Sequence, residues 1–179
     1  MRGSVKRPFL FLFSAALALG LSLPAAHPAR AQMMGALPID GIKCEGMEGA
    51  VVHIHQHLQI FDRGRAVKIP AQIGIPEGKG CLYWLHTHTD DGLIHEESPV
   101  RRTFTLGQFF DIWGQELSWY AAGPVRAVKG RKLVIQVNGH GYKGKDPRAI
   151  QLHNHDEIVI QAGPPWARTI NKIHWGNLG

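Results

Sequence analysis

Val51-Val52-His53-Ile54-His55-Gln56-His57-Leu58-Gln59-Ile60 alternates apolar and polar residues, the period-two pattern of a β-strand whose successive side chains point to opposite faces. One face carries Val52, Ile54, Leu58 and Ile60; the other carries His53, His55 and His57. The sequence therefore predicts a sheet with one apolar face and one imidazole face. Asp62-Arg63-Gly64-Arg65 reads as a turn, after which residues 66–69 return as a hairpin partner.

A second hairpin follows. Residues 82–88 form one arm, Thr89-Asp90-Asp91-Gly92 supplies turn chemistry, and residues 93–96 form the other arm. With those four residues in the loop, His88 faces Leu93 and His86 faces His95, which gathers three imidazoles on one side of the ribbon. A one-residue slip in register undoes that arrangement. In this reading Trp84 shares the strand face of His86 and His88 and walls the site.

Thr105-Leu106-Gly107-Gln108 matches a capping box. The helix it opens is expected to run to about Leu117, with Leu106, Phe109, Phe110, Trp113 and Leu117 on one stripe packed against a sheet. Gly107 and Gly114 weaken it by about 1 kcal/mol each relative to Ala. Strands are expected at residues 125–129, 133–137 and 157–161, and an irregular tail from Pro164. Two hairpins, one helix and further strands define an α+β fold: a single antiparallel or mixed sheet covered by one helix, β-grasp-like. The alternative is a β-sandwich or barrel of cupredoxin or cupin type.

Residues 1–31 read as a secretory signal peptide. Arg2, Lys6 and Arg7 give a basic start, residues 9–23 an apolar run, and Ala29-Arg30-Ala31 a small-x-small cleavage site. The mature chain, residues 32–179, has the size of one domain, and places the protein in a secreted or periplasmic setting. An uncleaved amino-terminal anchor is the alternative; no later stretch is apolar enough to span a membrane. The full chain has 20 Lys and Arg against 14 Asp and Glu; four of the basic residues lie in the signal, so the mature balance of 16 to 14 is only +2. That charge does not suit nucleic acid as a partner. Cys44 and Cys81 are an even pair in an oxidising compartment, which predicts a disulfide worth about 4 kcal/mol in the chain-entropy model. Two free thiols, one of them a metal ligand, are the alternative.

Eleven histidines are present. The most specific group is His86-Thr87-His88 followed by His95: a His-x-His pair with a third His on the adjacent strand converges three ring nitrogens on one ion, as in three-histidine zinc sites. Imidazole suits copper and nickel as well. Asp90, Asp91, Glu96 and Glu97 are at hand to orient the rings. His53, His55 and His57 form a second set. Its outer members stand too far apart to share an ion, but a neighbouring pair beside the second hairpin completes a four-ligand site or creates another one. The alternative is a solvated face of titrating histidines. His153 and His155 read as turn residues, and His140 and His174 as surface residues. Met33, Met34 and Met47 are soft donors suited to copper(I); the first two lie close to the mature amino terminus, where disorder is the simpler account.

The stretch LHTHTDDGLIHEESPVRRTFTLGQFFDIWG (residues 85–114), with HIHQHLQIF (53–61) and IPAQIGI (69–75) before it, resembles a group of secreted or membrane-anchored microbial proteins of uncharacterised activity. The resemblance implies that the histidine-rich hairpin and the helix act as one unit, and it implies no substrate. The cupin pattern places a Glu about four residues after its second His; Asp91 and Gly92 stand there instead.

Three functions follow from these residues. The first is an exported metal-binding protein handling copper or zinc. The second is a metalloenzyme whose open coordination position carries an activated water, with Glu96, Glu97 or a further His as general base. The third is a non-catalytic interaction module with structural or pH-sensing histidines.

Overall fold

In chain order, the computed structural model contains β1 (Cys44–Glu45), β2 (Val52–Asp62), β3 (Arg65–Val67), β4 (Leu82–Tyr83), β5 (Leu85–His86), β6 (Leu93–Ser98), α1 (Leu106–Trp113), β7 (Ala121–Ala122), β8 (Val125–Arg126), β9 (Val134–Val137), β10 (His140–Gly141), a 3₁₀ turn at Pro147–Ala149, and β11 (Asp156–Ala162). It describes residues 36–176 and 178; the expected signal, residues 1–31, lies outside the described residues. The described residues belong to one unit, Met33–Gly179.

The main sheet has the order β10-β9-β11-β2-β6-β5, with β3 paired to the end of β2. β11 runs parallel to β2, and every other pair in it is antiparallel. The fold is thus α+β with an open mixed sheet, neither sandwich nor barrel. Its order is grasp-like because the first long strand, β2, and the last, β11, lie side by side at the centre. A parallel pair needs a long crossover, and α1 lies within the one that joins them.

The apolar face of β2 does what its period demands. Leu58 and Ile60 are buried with Ile94 of β6, Ile158 and Ile160 of β11, and Leu106, Phe109 and Phe110 of α1. Both halves of the capping box form, between Thr105 and Gln108. The helix stops earlier than its apolar stripe suggests. Gly114 adopts a left-handed conformation (φ 69°) and its N–H turns back to Phe110 and Asp111, the usual C-terminal stop. Leu117 is still buried, but in a bridge to Ala122.

The second hairpin departs from the expected register beyond His86. His86 does face His95, but β5 ends there, because Thr87 bonds to another segment. Its N–H donates to Ile73 O at 3.0 Å and its hydroxyl to Pro70 O at 3.0 Å. Leu93 pairs with His57 of β2 and not with His88. Gly92, just before β6, has φ +84°, and a Cβ there would stand 2.2 Å from Leu58 O. Only glycine lets the turn come that close to β2.

Cys44 and Cys81 form a disulfide, beside the short β1–β4 ribbon in which Cys44 faces Tyr83. Among the described residues, no helix is long and apolar enough to cross a membrane.

Candidate metal centre

β6 lies between β2 and β5, so one row of side chains crosses three strands: His55 is paired with His95, and His95 with His86. The next row pairs His53 with Glu97. These residues share a face because each is two positions from its neighbour along its strand. His88 follows the end of β5 and turns its ring back over His86 and His95, with centroids 4.8 and 4.6 Å away.

The polar atoms meet closely. His55 Nε2 is 3.2 Å from His95 Nδ1, which is 3.2 Å from Glu97 Oε1; the same oxygen is 3.3 Å from His53 Nε2. His86 Nε2 and His88 Nε2 are 3.2 Å apart, and Glu48 Oε1 approaches His88 Nε2 at 3.9 Å. Two nitrogens bound to one tetrahedral ion at 2.0–2.1 Å stand about 3.3 Å apart, close to these spacings. His86 Nδ1 donates to Tyr83 O at 2.9 Å, which fixes the tautomer and leaves the Nε2 lone pair turned toward His88.

Four residues bring their donor atoms within 4.8 Å of one another in each of two groups: His86, His88, His95 and Glu97, and His53, His55, His95 and Glu97. His86, His55 and Glu97 are buried, His95 is half-buried, and His53 and His88 are exposed. The centre has a protein floor and a solvent-facing rim.

Burial, followed by the neighbouring imidazoles, pulls His95 down to about 3. Burial also takes His86 to about 4, against the opposing pull of its bond to Tyr83 O, and lowers His55 with help from His53. These rings are neutral near pH 7, the form that ligates metals. Glu97 is raised, first by burial and then by Glu48. Its Oε2 is buried without a protein donor, a costly state for a carboxylate unless it takes a proton or a cation meets it.

His57, on the same face, lies outside both groups. Its Nδ1 is 2.7 Å from Glu157 Oε2 and its Nε2 3.1 Å from Asp91 O. Both ring nitrogens are thus turned to groups outside the cluster. His153 meets Asp156, and His155 stacks on Trp175. Trp84 does not wall the centre: it packs edge-on against Phe104 in the core and donates to Glu45 at 2.9 Å. Glu97 as a direct donor, rather than an orienting group, was available from its two-residue spacing to His95; Glu48 carries no comparable signal.

Comparisons with family models, curated proteins and solved structures find no match.

Proposed function

We propose that this is an exported transition-metal-binding protein that holds copper or zinc at His86, His88, His95 and Glu97. One observation carries the reading: these four side chains, from two strands and the turn after β5, bring their donor atoms within 4.8 Å of one another. Three imidazoles and a carboxylate suit Zn(II) and Cu(II). Both cysteines are committed to the disulfide, so the ligand set contains no thiolate. That disulfide, with the signal-like residues 1–31, fits an oxidising compartment outside the cytosol.

The test is metal uptake by the purified protein near pH 7.5, followed by titration calorimetry and elemental analysis. Wild type is expected to bind Zn(II) or Cu(II) at micromolar concentration, and His86→Ala/His88→Ala to lose at least one equivalent. A wild type that binds neither ion under those conditions defeats the proposal.

A further inference from the structure

The two four-residue groups share His95 and Glu97 and differ in their His-x-His pair, His53 with His55 on β2 and His86 with His88 at the end of β5. Two nitrogens on opposite sides of one ion are at most about 4.2 Å apart, twice the usual bond length. The six side chains do not fall into one group even at 4.8 Å; they fall into two overlapping ones. One ion therefore does not satisfy all six where they stand.

The shared residues are of the two types that can bridge. A carboxylate offers one oxygen to each ion as it stands, whereas a neutral imidazole has one lone-pair nitrogen and bridges through both only after releasing its N–H proton to solvent as an imidazolate. His95 Nδ1 is directed to the β2 side, 3.2 Å from His55 Nε2, while the same ring lies against His88 and His86 at centroid distances of 4.6 and 5.3 Å. Glu97 Oε1 faces His53 and His95 at 3.3 and 3.2 Å, which leaves the buried Oε2 with no hydrogen bond. The Glu97 carboxyl thus has one oxygen engaged on the β2 side and a second without a protein donor, with Glu48 nearby.

We infer that the face holds two divalent transition-metal ions at once, one on His53 and His55, the other on His86 and His88, with His95 and Glu97 between them. This rests on the reading proposed above and extends it from one ion to a dinuclear centre. Paired ions are a recurring arrangement in metalloproteins, and the carboxylate shared between them offsets their mutual repulsion. Glu48, 3.9 Å from His88 Nε2, adds negative charge on the β5 side.

Stoichiometry and magnetism test it. The purified protein is titrated with Zn(II), and bound ions are counted by native mass spectrometry. Wild type is expected to hold two ions; His53→Gln/His55→Gln and His86→Gln/His88→Gln are each expected to hold one, with circular dichroism confirming that each variant is folded. With Cu(II), the second equivalent is expected to broaden or extinguish the paramagnetic resonance signal of the first. A wild type that saturates at one ion overturns the dinuclear inference but leaves single-ion binding standing. Two ions with independent, additive copper spectra overturn the shared bridge. A wild type that binds no ion removes the reading beneath both.

Discussion

His55 Nε2 lies 3.2 Å from His95 Nδ1 across the β2–β6 pair, and the Cα partner of His95 on its other side is His86. The central position of β6 makes His95 the only histidine that belongs to both ligand groups among the described residues. His95→Ala is therefore expected to damage both halves of the centre, whereas a substitution in either His-x-His pair damages one. Losing a group that merely orients a ligand costs 10- to 100-fold in affinity, so losing this ligand is expected to cost more than about 100-fold. Calorimetric titration with Zn(II) checks it. Affinity and stoichiometry equal to those of wild type would show that His95 is no ligand.

Glu96 and Glu97 are neighbours with opposite destinies, because adjacent strand residues point to opposite faces. Glu96 sits across from Ile54 and Leu85 and is buried, with Oε2 unpaired. Burial raises its carboxyl to about 7, Arg102 opposing. In the metal-free protein this group holds its proton more tightly folded than unfolded. It therefore lowers stability progressively as pH rises from its ordinary value of 4.5 toward 7. Glu96→Gln is expected to leave stability unchanged near pH 4 and to raise Tm by roughly 3 °C or more at pH 8, with zinc affinity within about twofold of wild type. Thermal unfolding in the presence of a chelator at the two pH values measures this; a variant less stable than wild type at pH 8 would refute it.

Local pattern made much of this legible. The alternation in residues 51–60 identifies β2 and the shared face of His53, His55 and His57; Thr105 and Gln108 mark where α1 begins; and the hairpin spacing places His86 opposite His95. What local pattern does not contain is which strand lies beside which. His57 has the same spacing as His53 and His55, but β11 arrives alongside β2 and sets Glu157 opposite it, 100 residues away in sequence. His88 is similar: the ladder was expected to continue through it, but Thr87 bonds to Ile73 and Pro70 and releases His88 to fold back over the cluster. Trp84 shows the limit of strict alternation, since it and Leu85 are both part of the core. In each case a distant segment competes for the same hydrogen bonds or apolar surface, and sequence periodicity records only the local side of that competition.

The disulfide joins Cys44 and Cys81, 37 positions apart in sequence, and the stretch between them contains the whole of β2, the β3 return and the segment to which Thr87 bonds. Its entropic contribution is about 4 kcal/mol. Cys44→Ser/Cys81→Ser, or reduction of wild type, is accordingly expected to lower Tm by roughly 10 °C. The effect on the centre is expected to be smaller than the effect on stability. His53, His55, His86, His95 and Glu97 are carried by the strands of the main sheet, whereas Glu48, just beyond the bridged Cys44, approaches from the rim beside His88 and Glu97. Oxidised and reduced protein, compared by thermal unfolding and then by zinc titration well below either midpoint, should therefore differ greatly in Tm and no more than about tenfold in affinity. Equal Tm values would remove the staple role, and complete loss of zinc binding in a folded, reduced protein would mean that the β1–β4 ribbon holds the ligands in place.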